Sequence, residues 1–291
     1  MSGGATAEPR WDEDEGEEGW EYDEVEGEES APRPRTVDDA PELQRSLALG
    51  LLAMVPMILA YELALAKIGG AQHNTSELIL FRLFAPLGAM ADHARWICLA
   101  GASIASLVWC LRQQWELGPR LFRIALEGLM AAVLMGPILV GITMLIGEPS
   151  GALPLGRDPA AAPNLVAAGL VFGGGAYEEI VFRVGAYSAL FVILKHSASF
   201  LGASRGLARW IGEGGGLLGQ ALLFAGFHLA LFTAWLGEGG ESFDATTFCY
   251  RVIAGVLLGL LFRLRGPGVS SWAHGSFNLA LLLGAGPDVF L

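Results

Sequence analysis

Between Gly173 and Gly185 the chain reads GGGAYEEIVFRVG, and three ionisable side chains, Glu178, Glu179 and Arg183, fall within a segment flanked on both sides by apolar runs. A charge at the centre of a membrane helix costs about 2.5–3.5 kcal/mol on insertion scales, so each of the three needs an internal partner or a wet cavity. Glu179 and Arg183 are spaced i,i+4 with the acid first, the better orientation for an ion pair on one helix. They are expected to satisfy each other. Glu178 is turned about 100° away on a helix of 3.6 residues per turn and has no partner on its own helix. It is the carboxylate left for chemistry.

Two more polar sets follow. LLFAGFHLALF carries His228 in its middle, with Phe224 one turn earlier on the same face, and SSWAHGSFNLALLL carries His274 and Asn278 at i,i+4 on one face. A lone histidine in an apolar helix is more often a packing residue, but these lie downstream of a spare carboxylate. One carboxylate, two imidazoles and an amide suit general-base hydrolysis: carboxylate and imidazole hold and deprotonate a water, while imidazole and amide N–H groups receive an oxyanion. Ser270 and Ser271 fall at an expected helix entrance with no base beside them, and no HExxH helix is present. Water is the expected nucleophile.

These residues must be positioned by membrane helices. The chain has 291 residues, 53% of them hydrophobic and only 16% charged, which is the composition of an all-α polytopic membrane protein and not of a soluble enzyme. Its net charge of −12 arises entirely in residues 1–45, which hold 16 acidic and 4 basic residues, so the remaining 14 acids and 14 bases cancel. That acidic tail lacks the apolar content to offset ordering and is expected to be disordered and solvated. Residues 46–160 then form N-terminal membrane helices, and 161–291 a catalytic membrane core. Apolar stretches long enough to cross a bilayer fall at about 46–66, 94–112, 121–146, 164–194, 215–236, 248–264 and 269–286. Seven crossings are expected. The segment 77–91 is short, contains Pro86 and reads as an interfacial or re-entrant piece, with an eighth crossing as the alternative.

Arg112, Arg120 and Arg123 cluster in one loop, Lys195, Arg205 and Arg209 in another, and Arg263 and Arg265 in a third. These are alternate loops, so the positive-inside rule puts them and the N-terminus in the cytoplasm, with the acidic loop 237–247 outside. The N-terminus lacks a basic region followed by a short apolar run, so the first apolar span is expected to be retained as an anchor. Gly255 and Gly259 are spaced as a helix-contact face. Asn74-Thr75-Ser76 fits a glycosylation sequon, a tripeptide common by chance. Cys98, Cys110 and Cys249 make neither a CxxC pair nor a disulfide framework.

Taken in order, Glu178-Glu179-Ile-Val-Phe-Arg183 resembles an EExxxR motif, Phe224-Ala-Gly-Phe-His228 an FxxxH motif, and His274-Gly-Ser-Phe-Asn278 an HxxxN motif. Over roughly residues 164–286 the chain resembles the CPBP family of intramembrane proteases, the CAAX-processing and bacteriocin-processing group also called Abi. One departure is that family members often carry glycine directly after the motif arginine, where this chain has Val184 before Gly185. The resemblance implies an endopeptidase with a conical cavity opening toward the cytosol. It implies that Glu178 and His228 activate water, that His274 and Asn278 form the oxyanion hole, and that Glu179, Arg183 and Phe224 support them. The family is often labelled metalloprotease, and Glu178, His228 and His274 would make the zinc set; the pairing of His274 with Asn278 favours a metal-free glutamate mechanism with no cofactor.

The expected partners are a membrane-associated peptide or protein substrate and the bilayer of the cell membrane, with no nucleic acid. Two other classes compete with the enzyme. A proton-coupled transporter would use Glu62, Glu127, Glu178, His228 and His274 as a relay, but the repeated halves common in such folds are not seen. A catalytically silent scaffold or immunity factor would be expected to have lost motif residues, and all are present here.

Overall fold

The structure, a computed structural model, describes residues 47–69, 73–146, 164–236 and 240–283. The acidic tail, the nearly neutral loop before Asn164 and the last eight residues lie outside that set. The described residues are helical, apart from turns and one parallel bridge between Leu229 and Glu241. The helices are α1 (Leu47–Lys67), α2 (Thr75–Phe84), α3 (Ala91–Arg112), α4 (Leu117–Ile146), α5 (Leu165–Glu178), α6 (Ser188–Phe200), α7 (Arg205–Gly226), α8 (Ala245–Arg265) and α9 (Pro267–Leu282). A π-helical stretch, Glu179–Tyr187, joins α5 to α6 without a break.

Among the described residues five helical runs are long and apolar enough to cross a membrane: Leu47–Lys67, Thr75–Arg112, Leu117–Leu139, Leu165–Phe200 and Ala245–Arg265. The protein is a polytopic all-α membrane protein. The other two expected crossings correspond to α7, whose polar first half dilutes its hydropathy, and to α9, which has 16 described residues. Large apolar side chains such as Leu63, Ile97, Phe122 and Leu134 are exposed on the outside of the bundle, the surface that lipid tails cover.

One expected span is corrected. The stretch 215–236 is not one helix: α7 begins at Arg205 and ends at Gly226, and Phe227–Leu229 form a turn before two short helical pieces. His228 therefore follows a helix end and is not mid-helix. The stretch 77–91 divides between α2 and a 3-10 segment, Ala85–Met90, kinked at Gly88 with φ of +56°, and the chain then continues into α3. At 1.5 Å per residue the ten residues of α2 rise about 15 Å, half of a hydrocarbon core of about 30 Å. Alone, α2 is too short to span that core, and the candidate crossing continues through α3 to Arg112.

The central element is α9. Its small residues, among them Gly268, Ser270, Ser271, Ala273 and Gly275, are buried, and they let α1, α4, α5 and α8 pack around it. Ala132, Met135 and Leu139 of α4 meet Leu258 of α8 and Phe277 of α9 in one apolar cluster, while Met54 and Met57 of α1 meet Ala176 of α5 in another. The Trp272 indole N–H donates to the Ala53 carbonyl at 2.8 Å, pinning α9 to α1. Gly255 and Gly259 face Ala221 and Gln220 of α7, the close helix contact expected from their spacing.

Candidate active site

The end of α5, the turn after α7 and the middle of α9 bring the motif residues together. Glu179 and Arg183 are fully buried and their charges lie 3.1 Å apart, as their spacing requires. The guanidinium carbon of Arg183 also sits 4.7 Å from the centre of the Phe224 ring, a cation–π contact in a dry setting. Glu179 is held by three elements: Arg183 on its own segment, the Ser270 hydroxyl, and His274 Nδ1 at 2.9 Å from its Oε1.

Glu178, one residue earlier, keeps 13% of its side chain accessible. Its Oε2 lies 3.2 Å from His274 Nε2, and its Oε1 accepts from the Asn74 side-chain amide at 2.9 Å. The carboxylate without a partner on its own helix thus finds two partners on others. His274 stands between both glutamates and spends both ring nitrogens on carboxylates. The oxyanion-hole expectation did not include that arrangement.

His228 closes the set from the turn after α7. Its Nδ1 lies 2.8 Å from the Phe224 carbonyl, which only accepts, so Nδ1 carries the proton and Nε2 is left as an acceptor. Phe224 is the hub of the group: its ring packs edge-on against His228 at 5.0 Å and His274 at 5.6 Å. The turn itself is fixed by the 240–244 loop, because the Glu241 N–H donates to the His228 carbonyl and the Ala230 N–H donates to the Glu241 carbonyl. The Glu241 carboxylate in turn makes a two-point ion pair with Arg251 of α8. Asn278 is half-buried one turn beyond His274 on α9.

The glycine run before the motif has a specific use at each position. A side chain on Gly173 would lie 2.3 Å from the Met57 carbonyl, one on Gly174 would lie 3.0 Å from the Asn74 amide nitrogen, and one on Gly175 would lie 2.9 Å from the Gly275 nitrogen. The three residues admit α1, the start of α2 and α9 in turn. Gly185 meets no neighbouring helix; its Cβ would approach only the Ile180 carbonyl, at 3.3 Å, so its role is confined to the π-helical backbone. Such stretches recur at functional sites.

Three contributors escaped the sequence. Asn74 read as a sequon, yet its oxygen caps α2 and its nitrogen is committed to Glu178. Ser270 read as a helix entrance, and Glu241 as part of an exposed acidic loop. A helix-cap pattern was available for Asn74, but no local signal connects positions 104 residues apart. The transporter relay is not assembled: Glu62 pairs with Arg95, and Glu127 with Arg123 and Arg265. Glu178, His228 and His274 do not gather around one point: no group of three such side chains does so among the described residues, and both nitrogens of His274 face carboxylates.

Residues 160–280 match the family model for type II CAAX prenyl endopeptidase Rce1-like proteins. This segment is similar to the CPBP, or CAAX-protease, family. The match takes in α5 through nearly all of α9 and thus every motif residue, and leaves α1–α4 outside it. No curated protein and no solved structure matches the chain.

Proposed function

We propose that this protein is an intramembrane endopeptidase that hydrolyses peptide bonds of membrane-associated substrates, with Glu178 as general base acting on water. The observation that carries this reading is the division of labour between adjacent carboxylates: Glu179 is sealed and fully partnered, whereas Glu178 is partly accessible beside the His274 imidazole.

In the proposed reaction a water sits between Glu178 and the open Nε2 of His228. Glu178 takes its proton as the oxygen attacks the scissile carbonyl carbon. The oxyanion that forms is received by the Asn278 amide, and by His274 Nε2–H, which is released from Glu178 once that carboxylate is protonated. The tetrahedral intermediate then collapses: the C–N bond breaks, Glu178 returns the proton to the departing amine, and a carboxylic acid and an amine leave. Glu179, Arg183, Ser270 and Phe224 keep His274 and the helix end in place.

The family description names prenylated CAAX chains, so a prenylated peptide ending in a CAAX sequence is the first substrate to test. We place the N-terminus in the cytoplasm on the distribution of basic loops, and we take the cell membrane as the protein's location. Purified protein in lipid should cut the peptide upstream of its last three residues, and an uncut peptide would remove CAAX processing from the reading.

A further inference from the structure

We infer that Asn74, contributed by the membrane half that lies outside the family match, is a positioning residue for Glu178; the inference rests on the general-base reading above. Its amide cannot be turned round. Asn74 Oδ1 accepts from the Ser76 N–H at 2.8 Å, the cap of α2, so the oxygen is committed to a donor and the nitrogen must face Glu178 Oε1, 2.9 Å away. The backbone is fixed as well, because the Asn74 N–H donates to the Tyr61 hydroxyl at 2.7 Å and that hydroxyl donates to Glu77 at 2.7 Å. Glu77 is buried and held by Arg95 at 2.8 Å, and Arg95 is further paired with Glu62. A polar scaffold built from α1, α2 and α3 therefore ends on one N–H aimed at the reacting carboxylate. Gly174 leaves the room that the amide needs.

The consequence is chemical. With Oε1 occupied by the amide and Oε2 facing His274, the carboxylate plane is set and its remaining lone pairs are aimed for the approach of water. An N–H donor at this place suits a base; a second carboxylate would oppose it.

The test compares Asn74→Ser and Asn74→Asp in the full-length protein, assayed on a prenylated CAAX peptide, with melting temperature alongside and Glu178→Gln as the control. Both variants retain an oxygen for the cap, so a purely structural role predicts near-normal turnover for both. The positioning role predicts that Asn74→Ser loses about tenfold in kcat with KM little changed, the scale of a hydrogen bond to a charged group, and that Asn74→Asp loses more. Normal kcat in both variants, or Asn74→Asp at least as active as Asn74→Ser, overturns the inference. Normal turnover in Glu178→Gln overturns the base reading instead. If the wild-type protein leaves the peptide uncut, the melting temperatures decide: Asn74→Ser and Glu178→Gln should be non-additive because the side chains touch, and additivity overturns the contact.

Discussion

Glu178 and Glu179 stand on opposite sides of one imidazole, with His274 Nε2 at 3.2 Å from the first carboxylate and Nδ1 at 2.9 Å from the second. With Nδ1–H given to Glu179, a neutral His274 would turn its lone pair toward Glu178, which is tenable only if Glu178 carries a proton. An imidazolium between two carboxylates, balanced by Arg183, gives the set no net charge. Either way one hydrogen lies between Glu178 Oε2 and His274 Nε2 and joins the two side chains.

The two glutamates should fail differently. Glu179→Ala strands Arg183 in a fully buried place and removes the acceptor of His274 and Ser270, so it should cost about 3–5 kcal/mol, the usual result of breaking a buried pair, and yield a poorly folded protein. Glu178→Gln should keep expression and melting behaviour while turnover falls by about 10²–10⁴, the contribution of a general base. Melting in detergent beside cleavage rate separates them. A stable but inactive Glu179→Ala, or an active Glu178→Gln, would reverse the roles.

What could be read from the sequence was local in origin. The Glu179–Arg183 pair, the close face of Gly255 and Gly259 and most helix positions follow from spacings of a few residues and from hydropathy. The break at Phe227 was hidden because Leu229–Phe232 are as apolar as α7, and hydropathy does not see a helix end paired to a loop through Glu241. The partners of Glu178 were hidden for another reason: Asn74 and His274 reach it from α2 and α9, and only packing brings those elements to α5.

Metal removal gives a second prediction. Because His274 directs both nitrogens at carboxylates and His228 directs Nδ1 at a carbonyl, turnover should survive strong chelation, and elemental analysis of active protein should find zinc well below one per chain. Stoichiometric zinc whose removal abolishes cleavage and whose return restores it would recast Glu178, His228 and His274 as ligands.

Membrane orientation gives a third. Arg263 pairs with Glu213 in the first half of α7, and Arg265 with Glu127 in the first half of α4, so the basic end of α8 lies beside the halves of α7 and α4 that follow the other two basic loops. In a background freed of the exposed Cys98 and Cys249, a cysteine at exposed Leu201 should label from the cytoplasm and one at exposed Ser242 from outside. Labelling of both from the same side would break the seven-span order.

The glycine run supplies the last prediction. A methyl group on Gly173 would fall 2.3 Å from the Met57 carbonyl and 2.5 Å from Tyr61 Cβ, so α5 must move away from α1. Overpacking of this kind costs about 1–3 kcal/mol. Because α5 carries Glu178 and α1 carries Tyr61, the hydroxyl that holds the Asn74 backbone, the same movement should loosen the base. Gly173→Ala should therefore lower the melting temperature and cut kcat together. Gly101→Ala is the matching control: it lies inside α3 with nothing near its Cβ, and replacing a mid-helix glycine by alanine stabilises by about 0.5–1 kcal/mol. It should melt at or slightly above the parent temperature with unchanged turnover. If Gly173→Ala matched Gly101→Ala in both measurements, the close approach of α5 to α1 would be wrong, and with it the route by which the N-terminal helices reach Glu178.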